Sequence, residues 1–329
     1  MIEVSIVVPA YNAGGTIDAC LTGLLTQSVP REGYEVIVVD DGSGDETREI
    51  VGKHDVRLID QPHQGPAVAR NRGVAEARGE IVLFTDADCV PTEDWIAEMV
   101  RPFDDPEVVG VKGVYLTQQS GIVPRFVQCE YEERYDRMAR RRRIDFVDTY
   151  AAGYRRSVFV AEGGFDVRYP NASVEDQEFS FRLAERGYRM VFNPQAAVYH
   201  RHPRTLGTYL KRKFNIGYWK VMVLQRHPQK AVRDSHTPQS LKIQMGVVFL
   251  LIPVVALALL RGLMLPALVA VIFFLVSVVP FAAKTLLKDP LVGVVSPLLL
   301  FVRSVALILG VMKGSWDFLF HRKVATRDA

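Results

Sequence analysis

Cysteine is scarce. Cys20, Cys89 and Cys129 are the only three in 329 residues, an odd number without close pairing, which excludes a disulfide framework and a cysteine-rich zinc site and points to a reducing compartment. Basic residues are scarce at the front, where positions 1–120 hold 9 Lys and Arg against 21 Asp and Glu. Such a front would repel phosphate backbones, so no nucleic-acid partner is expected. Acidic residues are scarce at the back: 13 against 22 basic in 121–240, and 3 against 9 in 241–329. Met1–Ala10 is short, lacks a basic start and runs straight into a strand pattern, so a signal peptide is not expected. There is no internal repeat and no low-complexity segment; the arginine run at 140–143 is the nearest approach. With 49% hydrophobic and 23% charged residues the chain is not disordered, and its length suits about two domains.

What it has instead is a long apolar tail. Residues 243–260 and 262–283 contain no charged side chain, and each is about the length that crosses a bilayer as a helix. A third apolar segment, 291–312, carries Arg303 and Pro297 and either spans, lies in the interface or re-enters, with a lean towards not crossing. Basic residues flank the segments: Lys230, Arg233 and Lys242 before the first, Lys284 and Lys288 after the second, and Lys313, Arg322, Lys323 and Arg327 after the third. All of these favour the cytoplasmic side. The expectation is a multi-pass protein of the cell (inner) membrane, with residues 1–205 as a cytoplasmic catalytic domain, 206–242 as interfacial helices and 243–329 as the membrane domain.

The first part alternates strands and helices. Strand patterns at 4–8, 35–39, 56–59 and 81–84 are separated by helical patterns at 16–27, from Asp45, and at 66–77. This predicts an α/β fold with a mostly parallel sheet, whose ligands bind beyond the carboxyl ends of the strands. Acidic residues sit at those ends: Asp40 and Asp41 after the second strand, Asp86 and Asp88 after the fourth. Two carboxylates two residues apart in extended chain point to one side and can converge on a hard divalent cation; the same pattern also suits a solvated turn.

Pro9-Ala10-Tyr11-Asn12, Asp40-Asp41-Gly42-Ser43, Ala69-Arg70-Asn71-Arg72-Gly73 and Asp86-Ala87-Asp88 occur in that order. They are followed by Gly163-Gly164-Phe165-Asp166, Glu175-Asp176, Arg182-Leu183 and Gly187. Over about residues 3–205 the chain resembles the family 2 glycosyltransferases with the GT-A fold, and its apolar tail resembles that of their membrane-anchored members. The resemblance implies that Pro9, Ala10, Tyr11, Asp40 and Asp41 line a nucleotide pocket. It implies that Asp88 binds Mg2+ or Mn2+, with Asp86 touching sugar, ribose or metal, and that His200 supplies a further ligand, with His202 as competitor. Asp176 is implied as general base for the acceptor hydroxyl, Glu175 supplying a like charge that raises its pKa. Arg70 reaches either a phosphate or a structural carboxylate.

The donor implied is a UDP- or GDP-linked sugar, and the acceptor a lipid-linked saccharide or polyprenyl phosphate. Residues 207–224 interleave aromatic and basic residues as an amphipathic helix on a membrane would, and Lys211, Lys213 and Lys220 are expected at headgroup depth. The stretch Arg212–Trp219 lacks the Gln-x-x-Arg-Trp motif of processive synthases, which favours addition of one sugar. Arg137 and Arg140–Arg143 are expected on a helix starting near Gln128, facing solvent, nearby acids or anionic lipid. Glu178 and Arg182 are expected as a surface pair. Outside this class stand a sugar-1-phosphate nucleotidyltransferase and a non-catalytic nucleotide-sugar-binding membrane protein.

Overall fold

The computed structural model describes residues 2–169, 174–232, 234–262 and 264–320. Arg233, Arg322, Lys323 and Arg327 therefore lie outside the described residues. The chain forms two compact units, one of residues 1–118 and 135–201, the other of 119–134 and 202–329.

The first unit is built around one mixed sheet. In chain order its elements are β1 (Val4–Ala10), α1 (Ile17–Leu25), β2 (Tyr34–Asp40), α2 (Thr47–Val51), β3 (Arg57–Asp60), α3 (Pro66–Glu76), β4 (Ile81–Phe84), β5 (Cys89–Pro91), α4 (Trp95–Val100) and β6 (Val108–Leu116). After α5 (Ile122–Met138) come β7 (Ala152–Arg155), α6 (Arg156–Ala161), α7 (Glu175–Glu185) and β8 (Arg189–His200). The sheet order is β3-β2-β1-β4-β7-β6-β8-β5. The four strands expected from alternation lie together and pair in parallel, each within a residue or two of its predicted bounds. Beyond β4 the sheet turns mixed: β7 is antiparallel to both β4 and β6, and β5 is antiparallel to β8.

The reason β1 and β2 read clearly is that both are almost wholly buried, so their β-branched runs are continuous rather than alternating. Helix α3 packs tightly on them because Gly73 leaves room: a Cβ there would collide with Val7. That close approach fixes the preceding turn of the helix, which carries Arg70 and Asn71. Asn71 bonds both ways to the backbone of Phe165, donating to its carbonyl at 2.8 Å and accepting from its N–H at 2.9 Å.

Three expectations change here. The Arg140–Arg143 run lies beyond the end of α5, which starts at Ile122 and not near Gln128, because the helix ends at Met138. Glu178 and Arg182 do pair, at 2.8 Å, but Glu178 is buried, and Arg182 also donates to the Gly164 carbonyl at 2.9 Å. They brace the Gly163-Gly164 turn, whose φ values of +78° and +64° suit glycine.

The second unit contains α8 (Leu206–Arg226), α9 (Gln239–Arg261), α10 (Met264–Lys288) and α11 (Pro290–Phe320). The last three are long and apolar enough to cross a membrane. The third apolar segment lies within one continuous helix that includes Pro297. Gly217, Gly310 and Gly314 let α8 and α11 meet backbone to backbone, since a Cβ at any of the three would strike the other helix.

The third change concerns Lys213. It does not reach for headgroups but is buried, with its Nζ 3.0 Å from Glu130. Glu130 also accepts from Arg303 at 2.8 Å and from the Tyr209 hydroxyl at 3.0 Å. Burial works against its ionisation, but Lys213, Arg303 and Arg134 together hold it at about 2. Burial pushes Lys213 down to about 7 in spite of Glu130.

Candidate active site

The carboxyl ends of β1, β2 and β4 carry the residues singled out from sequence. Pro9 and Ala10 close β1 and register with Val39 and Asp40 of β2. Tyr11, just beyond, is half-exposed and stacks on His63 with ring centroids 4.1 Å apart. Asp40 is buried; its Oδ2 accepts from the Ser43 N–H at 3.0 Å and lies 3.3 Å from Arg48 Nε. Asp41 is committed to the loop after β3. Its Oδ1 accepts from Gln61 Nε2 at 2.7 Å and from the Gln64 N–H at 2.9 Å, and its Oδ2 accepts from the Gly65 N–H at 2.8 Å and lies 2.9 Å from His63 Nδ1.

The chain then leaves β4 through Asp86 and Asp88 and enters β5, and the register of β5 on β8 sets Cys89 opposite His200. That pairing brings His200 Nε2 to 3.3 Å from Asp88 Oδ2. Among the described residues, Asp88, Cys89 and His200 are the group close enough together to hold a metal ion. Burial pushes the Cys89 thiol well above its ordinary value, and its Sγ lies 3.7 Å from Asp88 Oδ1 as a hydrogen-bond donor. A carboxylate and an imidazole are the hard oxygen and borderline nitrogen donors that Mg2+ or Mn2+ accept, so these residues fit such an ion. His202 lies elsewhere: it belongs to the second unit, where its Nε2 is 3.0 Å from Gln128 Oε1 and its ring stacks on Tyr131.

Arg70 links the two acidic motifs. It is buried, with Nη2 2.7 Å from Asp86 and Nη1 2.9 Å from Glu175, so of its two sequence readings it fulfils the structural-carboxylate one. Glu175 opens α7, and Asp176 follows it. Burial first, then the Glu175 charge, raises the Asp176 carboxyl to about 7, although Arg70 and the Gln177 and Thr149 N–H groups favour its charged form. The Gln177 N–H donates to its Oδ1 at 2.7 Å and the Thr149 N–H to its Oδ2 at 3.4 Å.

Behind Thr149 lies a residue that sequence patterns did not single out. Lys112 is fully buried in β6, ion-paired with Asp148, and its Nζ donates to the Tyr150 hydroxyl at 2.9 Å. Its ammonium lies over the rings of Tyr150, Phe146 and Tyr135. Tyr150 in turn stacks on Tyr115, and Tyr115 on His200. The sequence signal was a single charge in the otherwise apolar run Val108–Leu116.

The Glycosyl transferase family 2 model matches residues 5–161. The pre-mycofactocin glycosyltransferase of Mycobacterium tuberculosis is 31% identical over 238 residues, which is 69% of this chain but 49% of the relative, so the chain spans about half that relative's length. Glycosyltransferase AglE of Haloferax volcanii is 30% identical over 232 residues, covering 67% of this chain and 73% of the relative. Among solved structures, a mannosyltransferase from Pyrobaculum calidifontis in complex with GDP-mannose and Mn2+ matches 96% of this chain and 87% of its own, at a TM-score of 0.63 and 23% identity. The likeness shows a shared GT-A fold.

Proposed function

We propose that this chain, which belongs to family 2 of the glycosyltransferases and is a glycosyltransferase, moves one sugar from a nucleotide-diphosphate donor to a lipid-linked saccharide at the cytoplasmic face of a membrane, with inversion. Membership in this family sets aside the nucleotidyltransferase and non-catalytic readings. The observation that carries the proposal is the Arg70 bridge, which ties the Asp86–Asp88 motif to the helix bearing Asp176.

Asp176 is suited to accept the proton of the attacking hydroxyl. A general base works best with a pKa near the operating pH, and burial beside Glu175 provides that. Its two backbone donors hold the carboxylate in one orientation, so the acceptor meets a fixed base. Arg70 neutralises Glu175 and Asp86 and keeps both motifs in place. Asp88 and His200 would hold Mg2+ or Mn2+, with Asp86 tied to Arg70 two residues before Asp88 in the chain. Such a cation supplies charge neutralisation for the departing nucleoside diphosphate. Pro9, Ala10 and Tyr11, with Asp40 and Asp41 behind them, form the strand-end surface on which the nucleotide would rest.

The three apolar helices support a lipid-bound acceptor, because a soluble one needs no anchor. Polyprenyl phosphate itself is the second reading, favoured by the same helices. The test is transfer by the full chain in nanodiscs, offered UDP- and GDP-sugars with Mn2+ and either polyprenyl phosphate or a prenyl-diphosphate sugar. Product only on the prenyl-diphosphate sugar supports the proposal, product only on polyprenyl phosphate supports the second reading, and turnover of neither overturns both.

A further inference from the structure

Lys112 is a buried charge that the transfer chemistry above does not use. It is 1% exposed and its partner Asp148 8% exposed; the ammonium meets the Asp148 carboxylate and donates to the Tyr150 hydroxyl at 2.9 Å. Burying two charges is costly, so a buried ion pair is weak evidence for stability. Its place in the fold shows what it fixes.

The two partners of Lys112 bracket Thr149, in a segment that leans on α7. The Val147 N–H donates to Ser180 Oγ at 3.0 Å, Ser180 Oγ donates to the Asp176 carbonyl at 2.7 Å, and the Thr149 N–H donates to Asp176 Oδ2 at 3.4 Å. From β6, Lys112 grips the same segment at positions 148 and 150. The Tyr135 and Tyr150 hydroxyls, bonded to each other at 2.8 Å, brace that grip.

The two donors to the Asp176 carboxylate differ in origin. Gln177 is the next residue of the same helix, so its N–H moves with Asp176. The Thr149 N–H comes from a separate segment, and its bond at 3.4 Å is longer than usual, so a small shift of that segment ends it. With both donors in place the plane of the carboxylate is fixed; with the first only, the second oxygen is free to turn.

We propose that Lys112 is a positioning residue for the general base: through Asp148 and Tyr150 it holds the Thr149 N–H against Asp176, and so fixes the plane in which the base meets the acceptor hydroxyl. This rests on the reading of Asp176 as that base.

The test is steady-state transfer by the full chain in nanodiscs with Mn2+, using the UDP- or GDP-sugar and the prenyl acceptor that the wild type turns over. Lys112→Met by itself strands a buried carboxylate, so it is combined with Asp148→Asn, which removes both charges and should preserve the fold. Thr149→Pro removes the N–H itself at a place suited to proline: Thr149 is the first residue of the 3-10 turn Thr149–Ala151, and Asp148 before it is extended, with φ −76° and ψ 140°.

The Lys112–Asp148 double variant and Thr149→Pro are each expected to lower kcat by about 10-fold or more. Donor KM and Mn2+ affinity should stay within about twofold. Both should move the acid limb of the kcat profile to higher pH, because the Thr149 N–H favours the ionised Asp176 while Arg70, Glu175 and Tyr154, which also act on it, are unchanged. Combining all three substitutions should cost no more than Thr149→Pro, since they act through one bond. Unchanged kcat in the double variant overturns the inference, and so do losses that multiply on combination. A fall in Mn2+ affinity that matches the fall in kcat also overturns it, tracing the effect to the Tyr150–Tyr115–His200 stack. Turnover that survives Asp176→Asn overturns the base reading itself, a result distinct from any failure at Lys112.

Discussion

Arg70 and Glu175, 105 positions apart, form a buried ion pair at 2.9 Å, and the other arm of the same guanidinium holds Asp86 at 2.7 Å. A planar fork can serve two carboxylates at once, whereas an ammonium is a point charge. Arg70→Lys is therefore expected to fold but to lower kcat by about 10²-fold, the cost of misplacing groups by an ångström or so. Arg70→Met takes the guanidinium away from the buried Glu175 and the part-buried Asp86 and should lower stability by about 3–5 kcal/mol. Steady-state kinetics and thermal unfolding separate the two effects.

Asp176→Asn should abolish turnover while leaving nucleotide binding unchanged. It should also raise the melting temperature above pH 7. With its pKa raised to about 7, the native carboxyl holds a proton that the unfolded one has released, so its contribution to stability falls as pH rises from the ordinary aspartate range through about 7. An amide carries no such penalty. A variant that keeps wild-type turnover removes Asp176 from the role.

The pH profile follows from the same group. The base must be ionised, so kcat should fall as pH drops through about 7. Glu175→Gln removes the like charge and should move that limb to lower pH, as initial rates across a buffer series would show. A limb that stays put would assign it to another group.

Chelation with EDTA should remove activity, and added Mn2+ or Mg2+ should restore it. Asp88→Asn and His200→Ala should each weaken Mn2+ binding by at least about 10-fold, read directly by electron paramagnetic resonance without turnover. Unaltered Mn2+ affinity in both variants would contradict the assignment.

In the second unit, Glu130→Gln should destabilise the full chain in detergent by about 3–5 kcal/mol, because Lys213 and Arg303 lose their shared partner. Replacing Glu130, Lys213 and Arg303 together by Leu, Met and Met should recover most of the loss. The stabilisation from the Glu130 carboxylate is full above the ordinary glutamate pKa and is lost as pH falls through about 2, so this group should contribute little difference between thermal scans at pH 5.5 and pH 7 and a falling stability below pH 4.

Much of the first unit was legible before any coordinates. The runs at β1 and β2 are apolar at nearly every position because both faces are covered, and the spacing of Asp86 and Asp88 places both near the same strand end. The Asp88–His200 approach was reachable only through family resemblance, because it depends on how β5 registers with β8. Lys213 shows the opposite case: its aromatic and basic neighbours read as a membrane-surface helix, yet Glu130 draws it inward.

The sequence by itself determined the alternation of strands and helices, the clustering of acids at strand ends and the three apolar segments, since periodicity and hydrophobicity act between near neighbours in the chain. Only the tertiary structure decided what each charged group does. Asp41 became a loop clamp, Asp176 a raised carboxyl, Arg70 a bridge and Lys112 a caged cation, because desolvation and ion pairing depend on which distant segments are folded against one another.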